Sequence, residues 1–183
     1  MTLAAQRPRM SRHRWRASAL LVMLWAGAVV FATRVDPPWY LHRAALFVHL
    51  VSLVAGFGAV LVADIHGVLW LLGRRRLDQL LSVTHALHAM IWTGLLGLTL
   101  SGVLLPPNVL LPRTEIKLAL VLVAGLNGLW VGALSRRLER QRAARQPRDL
   151  DHRLVIAVMT SGAISQAAWW GATLVGFLAT TSR

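Results

Sequence analysis

Cysteine is missing from this 183-residue chain. That absence excludes disulfides, iron–sulfur clusters, thiolate metal sites and covalent haem attachment through cysteine. Acidic residues are scarce: seven Asp and Glu stand against 20 Lys and Arg, for a net charge of +13. Polar stretches long enough to bury a core of their own are lacking. The longest, Arg136–Arg153, holds Pro147 and many charges, and it reads as helix ends plus a solvated loop. No repeat of about 20–50 residues recurs. The chain therefore reads as one domain over 1–183, with no separate soluble unit.

What it has is apolar length. Five runs, Ala17–Thr33, Leu41–Leu72, Leu80–Leu105, Glu115–Ser135 and Leu154–Thr180, reach or approach the ~20 residues that cross a bilayer as a helix. The second is longer than a ~30 Å hydrocarbon layer needs, so it must tilt or project. The expectation is an all-α, polytopic membrane helical bundle of five transmembrane helices. Pro37–Pro38 and Pro106–Pro107 mark two turns on one side.

Charge orients the bundle. Five arginines stand in the basic arm 1–16, three at Arg74–Arg76, and seven between Arg136 and Arg153. All 15 fall on one side of the five-span map, against Arg34, Arg43, Arg113, Lys117 and Arg183 on the other. The positive-inside rule makes the rich side cytoplasmic, which puts the N-terminus inside and the C-terminus outside the cell membrane. The expected partners are the lipid bilayer and anionic lipids at the cytoplasmic face. That requirement also accounts for the net charge without a nucleic-acid partner, for which no motif is present. Trp39, Tyr40, Trp169 and Trp170 fit an outer aromatic belt, Trp15 and Trp70 an inner one. The first span has a rival reading as a secretory signal cleaved after Ala32, but the coherence of the charge pattern favours a retained span. The sequence leaves open whether the chain assembles with copies of itself or with other chains.

Ionisable side chains inside apolar runs are the main functional signal, because hydrocarbon penalises them. His49 lines up with Ser52, Gly56 and Gly67 at ~100° per residue, so it is expected to face the bundle. Ala55, Ala59, Ala63 and Gly67 form a four-residue seam for close helix approach. Asp64 and His66 sit near the inner end of the same span. In the third span His85, His88, Trp92 and Thr99 share one face, and Gly94, Gly97 and Ser101 lie on another. Lys117 is nearly in register with Ala124 and Gly128, at a depth close to that of His49, although it is near enough to a helix end to snorkel. Asn127 is mid-span and needs a partner. In the fifth span Met159, Ala163, Gln166 and Trp170 follow one face from His152. An Asp149 or Asp151 cap would account for the acids before that span.

Several of these segments are familiar together. Leu46–Gly58 reads LFVHLVSLVAGFG, Ser101–Leu105 reads SGVLL, Glu115–Leu120 reads EIKLAL and Gly125–Gly128 reads GLNG. The set resembles the membrane domain of copper-resistance D proteins, and also the small bacterial membrane protoporphyrinogen oxidases. The resemblance implies a four-helix core over Ala44–Thr180 with His49 and Lys117 as functional positions. Three functions follow as expectations. The first is a haem-b- or porphyrin-binding membrane protein with a redox or haem-pathway role. Its cofactor-binding candidates are His49, Lys117, His66, His85 and His88, because neutral imidazole is a good axial ligand. The second is copper or other metal transfer across the membrane, with His49, His85 and His88 as the metal-binding candidates; imidazole without thiolate fits haem or zinc better than Cu(I). The third is a non-catalytic accessory membrane subunit. Whether any catalysis occurs is left open. His13 and His42 are interfacial and carry no assignment.

Overall fold

The computed structural model describes residues 12–105, 108–109, 111–144 and 152–181. Five helices fill them: α1 (Arg12–Ala32), α2 (Trp39–Leu71), α3 (Leu77–Val103), α4 (Pro112–Ala144) and α5 (His152–Thr181). All five are long and apolar enough to cross a membrane. Their exposed surface is that of a bilayer protein: Phe47 is 70% exposed and Val54 75%, and Leu96, Leu100, Leu174 and Phe177 also face outward. An aqueous surface does not tolerate so broad an apolar face, whereas lipid requires it. The chain is an all-α, multi-pass membrane bundle.

Local chemistry sets the helix ends. Pro38 precedes α2 in extended conformation, and Pro112 opens α4, where its missing N–H costs nothing. α2 ends in a Schellman motif: Gly73 adopts φ +69°, its N–H bonds Trp70 O at 2.9 Å, and Arg74 N–H reaches back to Leu69 O at 2.8 Å. The turn delivers the chain directly into α3, where Arg76 N–H donates to the Gln79 side-chain oxygen at 3.2 Å. Asp78 in that first turn suits the positive end of the helix dipole.

The helices pack as two hairpins. α2 lies along α3 and α4 along α5; contact between the hairpins is sparser, and α1 leans on α3 and α4. The α2–α3 crossing is the tightest point. A Cβ on Gly94 would meet Gly56 N at 2.7 Å and Ser52 O at 2.9 Å, and one on Gly97 would strike Ser52 Oγ. The seam expected at Ala55–Ala59–Ala63–Gly67 is thus displaced by part of a turn. Ala59 is buried, but nothing approaches Gly67 within 4 Å. The pair of glycines at Gly56 and Gly94 permits closer backbone contact than alanines do, and so decides the crossing. α1 is held by Leu21 against Gly125 and by the Arg14 guanidinium, 4.7 Å from the Trp130 ring centroid.

α4 runs past Ser135 to Ala144, further than the apolar run implies. Its extra turns keep helical spacing: Leu134 and Leu138 are buried with Leu81 and Leu154, while Arg136, Arg137, Glu139 and Arg140 face outward. Pro106–Pro107, Asp149 and Asp151 lie outside the described residues.

Candidate functional site

Two polar regions lie inside the bundle, towards opposite ends. The first is at the end where α2 and α4 begin and α3 and α5 finish. Half-buried His49 meets Ser101 Oγ at 2.9 Å across the α2–α3 interface. The Ser101 hydroxyl has one proton, which it donates to Gly97 O of its own helix. With the hydroxyl proton so placed, His49 Nδ1 is the donor to Ser101, and the ring is also within hydrogen-bond reach of the Leu98 carbonyl. The Lys117 stem packs near Gly176 of α5, 3.8 Å from the Cβ that glycine lacks, and its ammonium lies within electrostatic reach of His49. Gly102 lies beside the His49 ring, where an added Cβ would sit 3.8 Å from Cε1.

The second region is a cavity of about 130 Å³ in the centre and Arg-rich half of the bundle, between the two hairpins. All four core helices contribute polar lining: Asp64 from α2, Thr84 and His88 from α3, Asn127 and Ser135 from α4, and Ser161 and Ser165 from α5. Trp92 and Trp169 supply aromatic walls. Asn127 finds its required partner in Ser161: Nδ2 donates to Ser161 O and Oδ1 accepts from Ser161 Oγ, both at 2.9 Å. This reciprocal pair joins α4 to α5 and satisfies polar groups that hydrocarbon would leave stranded.

Asp64 is marginal in the sequence and central in the fold. Gln166 Nε2 donates to its Oδ2, and Gln166 Oε1 accepts from Trp170 Nε1 at 2.9 Å. The chain Asp64–Gln166–Trp170 spans from α2 to α5. Phe57 locks the same interface, stacked on Trp169 at 5.7 Å between centroids and edge-on to Trp170 at 4.9 Å. No cationic side chain among the described residues stands against Asp64. Its other oxygen, Oδ1, faces the bare backbone of Gly162 and has no hydrogen-bond partner among those residues. One signal in the sequence points here: Asp64 is an acidic residue within the apolar run Leu41–Leu72, near its inner end.

The remaining candidates are dispersed. His66 Nδ1 donates to Val62 O at 2.8 Å within α2, so Nε2 of the neutral ring is a lone pair. His88 is exposed at one side, lines the cavity on the other, and lies edge-on to Trp92. The Arg136 guanidinium sits near it, along α4 at Gly132. His85 is exposed and is not part of the cavity lining. Met159 and Ala163 point outward, so of the fifth-span set only Gln166 and the Trp170 N–H enter the polar network. The inward face of α5 instead runs through Ser161, Ser165, Ala168 and Trp169. Among the described residues, no three His, Asp or Glu side chains converge as a metal-ligand set.

The architecture defines a class, the small multi-pass helical membrane protein with a polar interior. No protein-family model matches the chain, and neither a curated protein nor a solved structure matches it.

Proposed function

We propose that the protein binds a small polar solute within the membrane, in the cavity between its two hairpins. The observation that carries this reading is the convergence of polar side chains from four helices on one space, with a carboxylate among them. Ionisable groups in a bilayer interior mark substrate and ion pathways more often than they serve packing. At about 30 Å³ per water, the cavity holds roughly four waters' share of liquid volume, which suits a small solute. The Arg-rich end faces the cytoplasm of the cell membrane by the positive-inside rule, so the cavity lies in the inner half of the bundle.

The natural chain has no cysteine, so single cysteines test both statements. Ser165→Cys, on the cavity wall, should react with a small water-soluble thiol reagent, and Ile164→Cys, on the lipid face, should not. An unreactive Ser165→Cys variant that is well folded overturns the reading. Gln79→Cys should label from the cytoplasmic side and Asn108→Cys from outside; the reverse pattern inverts the topology.

A second reading is haem b or a porphyrin held by histidine, and one specific observation favours it. Half-buried His66 commits Nδ1 to the Val62 carbonyl, which leaves Nε2 as the lone pair of its neutral ring, as in an axial ligand. Lys117 near His49 would suit an acidic substituent of such a ligand. A tetrapyrrole is far larger than the central cavity, so this reading uses the surface of the bundle or needs the hairpins to part. Copper transfer would draw on His49, His85 and His88 as successive stations rather than one centre. An oxidised and reduced absorption spectrum of purified protein decides the haem reading: a colourless preparation that takes up no added haem ends it.

A further inference from the structure

We infer that the ligand of the central cavity is a small organic ammonium ion, held by Asp64 as counter-charge and by indole faces. This rests on the cavity being a ligand site. It adds the chemical class of the ligand, and charge accounting is its basis. Asp64 spends one carboxylate oxygen on a neutral amide, and its second oxygen, Oδ1, faces Gly162, itself part of the cavity wall. The nearest partner is thus neutral, and no salt bridge to Asp64 forms among the described residues. A carboxylate in a low-dielectric space needs a positive charge or a proton to be stable there. Arg136 lies along α4 beside His88 rather than against Asp64.

The walls distinguish among cations. A bare metal ion requires several oxygen ligands around it at short range, and no three acidic or imidazole groups cluster among the described residues. Two indoles, Trp92 and Trp169, line the same cavity among aliphatic side chains, and one face of Trp169 is covered by Phe57. A carboxylate combined with indole walls is the chemistry that attracts alkylammonium groups, by charge on one side and cation–π attraction on the other. The volume, about 130 Å³, admits a compact ion of a few heavy atoms and excludes long-chain amines.

The test uses the full-length protein in detergent with radiolabelled ethylammonium in equilibrium dialysis. Saturable binding is expected. Asp64→Asn keeps an acceptor for Gln166 but removes the charge, and it should weaken binding at least tenfold; Asp64→Glu should retain binding. Unlabelled tetramethylammonium should compete, and the neutral analogue propanol should not. Thermal unfolding of each variant separates lost binding from lost fold. Should D64N misfold, the competition series on the wild-type protein still decides. Binding unaffected by D64N, competition by propanol as strong as by tetramethylammonium, or no saturable binding at all would each overturn the inference. If the Ser165→Cys variant reacts with the water-soluble reagent but ethylammonium does not bind, the ammonium assignment fails and the solute site stands. If that variant is unreactive, both fail.

Discussion

The α2–α3 crossing and the space between the hairpins are built on opposite terms. At the crossing, two glycines face one another and leave no room for even a methyl group. A short distance further along the same two helices, the bundle opens into a largely apolar cavity that also presents serine and threonine hydroxyls, the Asn127 amide, His88 and the Asp64 carboxylate. Without a hydrophobic force between helices in lipid, association depends on close packing and interhelical hydrogen bonds. The protein uses both inside its hairpins, with the Gly56–Gly94 approach and the Asn127–Ser161 pair, and joins α2 to α5 by the Gln166–Asp64 bond. Packing and open space are therefore separated here: the closest backbone contact lies inside the α2–α3 hairpin, and the cavity we propose as a ligand site lies between the hairpins.

The comparison breaks most severely at Gly94. Gly94→Ala should destabilise the protein towards the upper end of the ~1–3 kcal/mol typical of overpacking, because the atoms it meets are backbone and cannot swing away. Denaturation in mixed detergent measures this. Gly97→Ala meets the rotatable Ser52 hydroxyl and should cost less. A smaller effect tests the α4–α5 hairpin. In a double-mutant cycle, Asn127→Ala with Ser161→Ala should give a coupling of about 0.6–1.7 kcal/mol, the range of such bonds in membrane bundles. The smallest effect sharpens the contrast: Gly67→Ala, with nothing within 4 Å, should be neutral or stabilising by up to ~1 kcal/mol through helix propensity. If Gly67→Ala harms the protein as much as Gly94→Ala, the crossing is misplaced.

Apolar length makes the spans legible from sequence: the run Leu80–Leu105 predicts a span, and Leu77–Val103 is helical. Periodicity within one helix is legible too. It turns His49 towards Ser52 and Gly56 and separates the His88–Trp92 face from the Gly94–Gly97 face, and those faces meet α4 and α2 respectively. Contact between helices distant in sequence is not legible. Asp64 and Gln166 are 102 positions apart, and only the return of α5 against α2 brings amide to carboxylate. Ser161 is equally hidden, since a serine within an apolar run has no periodicity that marks it as the partner of Asn127. The α2 seam lies away from its four-residue pattern for a related reason. Small residues at that spacing fit a close approach on more than one face, and the partner glycine at 94 chooses between them.

The central claim is that the hairpins are tight inside and water-accessible between, and cysteine reaction rates test it directly. Ser52→Cys lies in the α2–α3 crossing, and Thr84→Cys lies on the cavity wall. With the same small water-soluble thiol reagent on the folded protein, the Thr84→Cys variant should react at least tenfold faster than the Ser52→Cys variant. Equal rates, or a faster reaction at position 52, would contradict the account.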